Sequence, residues 1–207
     1  MTSALLQITY FGPIQWYQKL RRYDHCLIEQ YDSFQKQTYR NRCVIATANG
    51  VQALTVPVEH SDDKILTKDL RISDHNQWRR VHWNALQSAY SESPFFEYYA
   101  DDLHPFFEQK YDFLVDFNEA IRQKVCELID IHPNVEYTTK YQPSALNPQP
   151  STLTDFRDVI NAKHPQPDEG FTPKEYWQVF QHKHGFLPNL SILDLLFNMG
   201  PESVFFL

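Results

Sequence analysis

The chain has 207 residues and a formal net charge of −7, with 42% hydrophobic and 15% aromatic residues. This composition fits a soluble globular protein with a sizeable core and excludes a disordered chain. The acidic balance disfavours non-specific binding to nucleic acid or to anionic membranes, since both need an excess of cations. The sequence contains neither an apolar run of membrane-spanning length nor a signal-peptide pattern. With three cysteines and no Cys-x-x-Cys pair, it predicts a cytoplasmic protein with reduced thiols.

The start of the chain has the order of elements that is typical of an α/β fold. Residues 5–10 and His25–Glu29 are short apolar runs that predict strands. Between them, Pro13 opens a run of helical spacing that ends near Arg22. Proline is favoured in the first turn of a helix because its missing N–H is not needed there. Strand, helix and strand in this order predict the beginning of an α/β unit.

A hairpin is predicted next. The dipeptide Asn49-Gly50 separates two apolar runs, residues 43–47 and 51–58. Because both residues of the dipeptide tolerate positive φ, this pattern indicates an antiparallel hairpin. A further short strand is predicted over residues 68–72.

Helices are predicted through the middle of the chain. One helix is predicted to follow a cap at Ser73 or Asp74, and another to begin near Phe95. Apolar residues then recur every three or four positions over residues 105–130, which predicts one long amphipathic helix. A late strand is predicted over residues 135–139.

The last part of the chain is predicted to be mainly helical. Residues 141–150 hold three prolines without periodicity and indicate a surface linker. Helices are predicted near residues 153–162, from Thr172, and over residues 191–199. The apolar tail, residues 204–207, is expected to dock on its own domain or on a second copy of the chain.

These elements predict an α/β fold. A mixed β-sheet with a βαβ-type start and a β-hairpin is flanked by helices. Residues 1–140 are expected to form the α/β domain, and residues 141–207 a mainly helical C-terminal extension packed on it.

A segment rich in hydrogen-bond donors is the strongest candidate for a binding site. Arg40 and Arg42 supply guanidinium groups, and Gln37 and Asn41 supply amides. Guanidinium groups bind carboxylates and phosphates through two parallel hydrogen bonds, so the segment is a candidate site for an anionic substrate. Alternatively, the arginines pair with the surplus acids and brace the hairpin, and the sequence leaves both interpretations open.

Two further residues are site candidates. Tyr10 belongs to the turn between the first strand and the first helix, where the N–H groups of a helix start can bind an anion. An ordinary strand-to-helix connection explains the same turn. His82 lies four residues after Trp78 on a predicted helix and is a candidate general base, or else a satisfied core histidine. Three acids are candidate partners for it: Glu29, Glu92 and Glu97.

No metal site is predicted. His164, His182 and His184 are not accompanied by a matching set of cysteines or by a His-Glu-x-x-His motif, so a solvated loop is the preferred interpretation. The sequence leaves the question of a cofactor open.

An ordered series of motifs resembles the WbqC-like family over about residues 5–140. It comprises Tyr10-Phe11-Gly12-Pro13, Gln37-Thr38-Tyr39-Arg40-Asn41-Arg42, Asn49-Gly50, Leu54-Thr55-Val56-Pro57-Val58, Trp78 with His82, and Ala89-Tyr90 with Ser93-Pro94-Phe95-Phe96. The resemblance implies a bacterial cytoplasmic protein of surface-polysaccharide biosynthesis. It further implies a transferase that moves an acyl or aminoacyl group, such as glycine, to a sugar, but it assigns no catalytic residues.

Two functions therefore remain open. In the first, the chain is a transferase for a small anionic or activated substrate. Arg40 and Arg42 fix the anion, Gln37 and Asn41 orient it, and His82 is the base. In the second, the chain is a noncatalytic binding or assembly protein whose donor segment recognises an anionic partner and whose apolar C-terminus forms a homodimer.

Overall fold

A computed structural model describes residues 2–59, 64–143 and 153–207. Within these ranges the strands are β1 (Ser3–Gln7), β2 (His25–Glu29), β3 (Arg42–Thr47), β4 (Gly50–Thr55), β5 (Val135–Tyr137) and β6 (Leu153–Asp155). The α-helices are α1 (Ile14–Arg22), α2 (Trp78–Tyr90), α3 (Phe96–Leu103), α4 (Leu114–Leu128), α5 (Gln181–His184) and α6 (Ile192–Met199). The predicted α/β class is confirmed.

Four strands form a parallel sheet in the order β5-β2-β1-β6. Helix α1 connects β1 to β2, as a parallel pair requires a crossover. One face of the sheet carries apolar residues such as Leu6 and Ile28, which are 0% and 1% exposed. Strand β2 pairs with one edge of β1, and β6, the last strand in the chain, pairs with the opposite edge of β1. The strand order in the sheet therefore reverses at β1. In open α/β sheets, ligands bind at the carboxyl ends of the strands beside such a reversal.

The hairpin predicted at Asn49-Gly50 is confirmed as a separate two-stranded antiparallel sheet. Strands β3 and β4 pair from Arg42 with Thr55 to Thr47 with Gly50. Gly50 has φ of +103°, a conformation that a side chain would strain. The inner residues of the hairpin join the core, and its backbone contacts helix α6 through a hydrogen bond from Ser191 N–H to the Val44 carbonyl of 2.8 Å.

Two predicted helix starts are wrong. Neither Ser73 nor Asp74 caps α2, which begins at Trp78 after a 3-10 turn, and Asp74 instead pairs with Arg79 and Lys110. The long helix predicted over residues 105–130 begins only at Leu114. The backbone before it pairs with the segment around Leu70, whose carbonyl accepts a hydrogen bond of 2.9 Å from Leu114 N–H.

That pairing also replaces the strand predicted over residues 68–72. The segment instead forms a 3-10 turn at Thr67–Asp69. Isolated bridges at Arg71 and Ile72 follow this turn. The backbone N–H and C=O groups of the segment around Leu70 and of the segment before Leu114 therefore hydrogen-bond to each other. The spacing of apolar residues in the sequence does not reveal such pairing.

The C-terminal part contains two corrections and one confirmation. Residues 153–155 form strand β6 on the open edge of β1 instead of a helix, and the segment from Thr172 to Gln178 has no regular structure. Helix α6 is confirmed, and the Ser191 hydroxyl caps it by accepting a hydrogen bond of 3.3 Å from Leu193 N–H. Part of the predicted linker, residues 144–150, lies outside the described residues.

The apolar tail docks in part on its own chain. Leu207 is 8% exposed, and the Phe206 ring lies 5.8 Å from the Tyr176 ring, whereas Phe205 is 67% exposed. Among the residues that the structure describes, no helix has the length and apolar content to cross a membrane.

Candidate functional site

Charged and polar side chains gather where the parallel strands end. We call this group the carboxyl-edge cluster: Gln7, Glu29, Asp32, Arg40, Thr138, Asp155 and Arg157. Gln7 and Glu29 are register neighbours, and each is the last residue of its strand. Because paired residues of parallel strands point to the same face, both side chains leave the sheet on one side.

Glu29 is the most deeply buried charged residue of the carboxyl-edge cluster, with 0% exposure. One carboxylate oxygen accepts hydrogen bonds from Tyr31 N–H at 2.7 Å and from the Thr138 hydroxyl at 2.9 Å. The other accepts from Gln142 N–H at 2.8 Å and from Arg157 at 3.4 Å. The residue that ends β2 therefore ties together the segment after β5 and the segment after β6.

Arg40 lies inside the carboxyl-edge cluster, 3% exposed. One terminal nitrogen donates to the Gln7 side chain at 2.6 Å and to the Thr38 hydroxyl at 3.3 Å. The other forms an ion pair with Asp32, which also accepts a hydrogen bond from the Thr67 hydroxyl. The buried Nε of Arg40 has no hydrogen-bond partner within the described residues.

Arg157 and Asp155 form the more accessible half of the cluster. Arg157 donates to Asp155 through Nε at 2.9 Å and through a terminal nitrogen at 2.6 Å, a two-point geometry typical of strong pairs. The Asp155 side chain is 27% exposed, against 7% for Arg157. The guanidinium lies 5.6 Å from the centre of the exposed Tyr141 ring. Asp155 is therefore the most exposed charged side chain of the carboxyl-edge cluster.

Tyr10 and His82 lie together in the apolar core. Tyr10 is 0% exposed and His82 is 4% exposed. The Tyr10 hydroxyl lies 2.9 Å from His82 Nδ1. Burial lowers the pKa of His82 to about 4, and a hydrogen bond with the Thr55 backbone opposes this shift. A neutral imidazole that accepts from Tyr10 and donates to Thr55 satisfies both ring nitrogens.

The remaining predicted site residues do not contact the carboxyl-edge cluster through the hydrogen bonds of their side chains. Asn41 is buried and donates to the Val56 carbonyl at 2.8 Å. The Arg42 Nε donates to the Thr55 hydroxyl at 3.0 Å on the hairpin. Gln37 is exposed, with φ of +62°. Of the predicted donors, Arg40 is therefore the one that joins the carboxyl-edge cluster.

Sequence reasoning missed Asp155 and Arg157, and it considered Glu29 only as a partner for His82. The signal for Glu29 is available in the sequence, because an acid directly after a buried run marks the carboxyl end of a strand. Asp155 and Arg157 carried no such signal, since residues 153–162 were assigned to a helix. Within the described residues, no group of three or more His, Cys, Asp or Glu side chains is placed to hold a metal ion.

A second buried polar group has a different construction. We call it the Asp194 cluster: Tyr90, Tyr176, Gln178, Asp194 and Asn198. The carboxylate accepts hydrogen bonds from the Tyr90 hydroxyl at 2.8 Å, the Tyr176 hydroxyl at 2.6 Å and the Gln178 amide at 2.9 Å. Burial raises the pKa of Asp194 although these donors oppose the shift. The cluster joins α2, α6 and the irregular segment between α5 and β6.

The comparisons with known proteins identify the family. The family model described as the WbqC-like protein family matches residues 7–165. The chain belongs to the WbqC-like protein family. The matched range includes every member of the carboxyl-edge cluster, extends past residue 140, and ends before Asp194.

One curated relative shares most of its length with this member of the WbqC-like family. The uncharacterized protein Rv1507c of Mycobacterium tuberculosis (strain ATCC 25618 / H37Rv) is 25% identical over 221 residues. The match covers 97% of this chain and 94% of the relative. No solved structure matches the chain.

Proposed function

We propose that the protein is a transferase that binds its substrate at the carboxyl-edge cluster. The proposed reaction moves an acyl or aminoacyl group, such as glycine, to a sugar during the biosynthesis of bacterial surface polysaccharide. The supporting observation is the gathering of Glu29, Asp32, Arg40 and Arg157, all at most 8% exposed, at the end of the sheet where ligands of open α/β folds bind.

The construction of the carboxyl-edge cluster supports binding as well as stability. Three carboxyl groups face two guanidinium groups, so the internal charges do not cancel. Charged groups held by fixed hydrogen bonds orient a polar substrate at little cost in reorganisation. Asp155 is accessible and is held at two points by Arg157. We assign it the contact with a hydroxyl or ammonium group of the substrate, since a carboxylate accepts hydrogen bonds.

The residues chosen from the sequence take modified roles in this proposal. Arg40 holds Asp32 and Gln7 in place, so it acts on a substrate mainly through them. Arg42 and Gln37 remain proposed substrate contacts from the hairpin and its preceding loop. His82 accepts from Tyr10, so a role as base would move a proton through the Tyr10 hydroxyl, and this stays a prediction.

In the proposed transfer step, a hydroxyl or amine of the acceptor sugar attacks the acyl carbon of the donor. The bond from that carbon to the leaving group of the donor breaks. The proton lost by the acceptor moves to a base, for which the Asp155 carboxylate is the accessible group at the carboxyl-edge cluster.

The proposal is tested by binding measurements with nucleotide sugars and aminoacyl donors. We expect Asp155→Asn to weaken binding or transfer about tenfold, since a charge-assisted contact contributes about 1.5–3 kcal/mol. Asp158→Asn is the matched control, because Asp158 is an exposed acid three residues away. Equal affinities for the wild type and both variants, or no binding of any probe, would contradict the proposal.

A specific observation favours the noncatalytic alternative. Lys36 and Gln37 are exposed, and Gln37 holds a left-handed backbone conformation that is uncommon outside functional loops and tight turns. On this alternative the loop binds an acidic partner. Binding of an oligoglutamate peptide that is lost in Lys36→Ala, with Asp155→Asn unaffected, would support it.

The alternative also includes a homodimer through the apolar tail. Phe205, 67% exposed, is the residue of the tail that a second copy would cover. Light scattering of the full chain and of Phe205→Ser tests this part, and a monomer at all concentrations would reject it.

A further inference from the structure

A groove separate from the carboxyl-edge cluster lies between the hairpin turn and helix α2. It has a volume of about 350 Å³ and is lined by Thr47, Ala48, Asn49, Gln52, Asn84, Ala85, Ser88 and Ala89. This volume falls within the range of small-molecule sites, about 300–1,000 Å³. The groove therefore has room for a small ligand.

The polar groups of the groove are amides and hydroxyls, and its lining includes no charged side chain. Asn49 and Gln52 project from the hairpin, and Asn84 and Ser88 lie one turn apart on α2. The side chains of these four residues make no hydrogen bond within the described residues, although each has donors and acceptors. Such groups are available to a ligand.

The two walls of the groove are held rigidly. The turn of the hairpin is fixed by a hydrogen bond from the Thr47 hydroxyl to the Gly50 carbonyl of 2.8 Å. From the C-terminal part of the chain, Lys183 donates to the Ala48 carbonyl at 2.6 Å. On α2, Ala89 and Leu86 are buried and hold the helix against the core. The backbone that carries the polar side chains is therefore held in place before a ligand binds.

We propose that this groove binds a neutral sugar. A sugar hydroxyl both donates and accepts hydrogen bonds, which matches the amide and hydroxyl side chains of the lining. The methyl groups of Ala48, Ala85 and Ala89 offer apolar contact to the C–H groups of a sugar ring. The lining residues carry no charge, and the Lys183 ammonium group beside the groove already donates to the Ala48 carbonyl at 2.6 Å. We therefore expect a sugar acid to bind no more tightly than the neutral form. This inference does not depend on the proposed transferase activity.

The experiment compares neutral methyl hexosides and methyl N-acetylhexosaminides with the matching methyl uronides, in titrations of the full chain followed by amide NMR. We expect the neutral glycosides to shift the signals of the groove, including Asn84 and Ser88. The uronides should bind no more tightly. Asn84→Ala should weaken binding about three- to tenfold, because it removes one or two neutral hydrogen bonds.

Gln87→Ala is the matched control, since Gln87 is an exposed amide on the same helix and does not line the groove. It should bind as the wild type does, and unchanged NMR spectra elsewhere show that each variant is folded. The proposal is overturned if no neutral glycoside shifts the groove signals, if the uronides bind more tightly, or if Asn84→Ala and Gln87→Ala bind equally. An extended peptide that shifts the groove signals where the glycosides do not would also overturn it.

Discussion

The carboxyl-edge cluster and the Asp194 cluster are both buried and polar, but they balance charge in different ways. Asp194 is a single carboxyl group surrounded by neutral donors from two tyrosines and one glutamine. At the carboxyl edge, acids face arginines, and one acid, Asp155, is partly exposed. The closed cage of neutral donors leaves Asp194 0% exposed, whereas at the charged edge the Asp155 side chain is 27% exposed and within reach of a ligand.

In our proposal, this difference assigns a stability role to the Asp194 cluster and a binding role to the carboxyl-edge cluster. The Asp194 cluster lies partly outside the range matched by the WbqC-like family model, and the carboxyl-edge cluster lies wholly within it. This assignment of roles to the two clusters would be wrong if removal of the Asp194 carboxyl group abolished ligand binding without lowering the free energy of unfolding. The predictions below test it, beginning with the largest expected effect.

Asp194→Ala should destabilise the protein by about 3 kcal/mol or more. The substitution leaves the Tyr90 and Tyr176 hydroxyls and the Gln178 amide buried without their acceptor, and each such donor contributes a desolvation penalty of about 1–3 kcal/mol. Chemical denaturation measures the change in the free energy of unfolding.

Asp194→Asn is the matched control. It keeps one acceptor oxygen, and the tyrosine hydroxyls can rotate to accept from the new amide, so the loss should be about 1 kcal/mol. If Asp194→Ala were as stable as the wild type, the Asp194 cluster would not be a structural anchor.

The pH dependence of stability tests whether His82 belongs with the structural residues. Its pKa falls from 6.5 to about 4 on folding, so the unfolded chain binds the proton more tightly than the folded protein. The stability that His82 contributes is complete above pH 6.5 and is lost as the pH falls towards 4. The loss between pH 7 and pH 4 should be about 3 kcal/mol.

His82→Gln separates this effect from the titration of other groups, since glutamine keeps a donor and an acceptor but does not titrate. The difference in unfolding free energy between wild type and variant should shrink by about 3 kcal/mol from pH 7 to pH 4. A difference that is independent of pH would show that His82 titrates normally in the folded protein and is open to solvent.

Local patterns in the sequence predicted those parts of the fold that depend on neighbouring residues. The βαβ start, the hairpin at Asn49-Gly50 and helix α6 are confirmed. Strand β6 and the start of α4 were missed, because each depends on backbone pairing with a segment far away in the chain: β6 with β1, and Leu114 with Leu70. Periodicity reports which face of an element is apolar and carries no information about such partners.

The candidate site was predictable only at Arg40. The donor-rich segment identified this residue, but its partners Asp32 and Gln7 meet it through the loop after β2 and the end of β1. Arg157 reaches Glu29 across 128 positions of the sequence, so no local motif contains both. The carboxyl-edge cluster forms because the ends of the parallel strands lie side by side in the folded sheet, and the donor-rich segment supplies only Arg40 to it.

Gly12→Ala should destabilise the turn that leads from β1 to α1. A methyl group at this position would lie 2.5 Å from the Thr9 Oγ1 and 2.9 Å from its Cβ. Thr9 is buried and its β-branched side chain has few alternative rotamers, so the overlap should lower stability by about 1–3 kcal/mol.

Gly12→Ala combined with Thr9→Ser tests the cause, because serine lacks the Thr9 Cγ2, which lies 3.3 Å from the added methyl group, and can turn its hydroxyl away. The double variant should recover part of the loss. Additive losses would mean that the contact between residues 9 and 12 is not responsible. Since this turn follows the carboxyl end of β1, the same variants show whether ligand binding depends on its geometry.

Arg42→Ala should have the smallest effect on stability, about 1 kcal/mol or less. Arg42 is only half-buried, and within the described residues its side chain makes one hydrogen bond, from its Nε to the Thr55 hydroxyl. This small effect makes the variant a clean probe of binding. If Arg42 contacts an anionic substrate, affinity for nucleotide sugars or aminoacyl donors should fall about tenfold while the denaturation midpoint hardly moves.

Thr55→Val is the control for Arg42, since it removes the same hydrogen bond and leaves the guanidinium in place. Unchanged affinity in Arg42→Ala, together with a loss in Asp155→Asn, would restrict the substrate to the carboxyl-edge cluster and exclude the hairpin. A loss in Arg42→Ala alone would instead place the anion on the hairpin, and the charged edge of the sheet would then share the structural role of the Asp194 cluster.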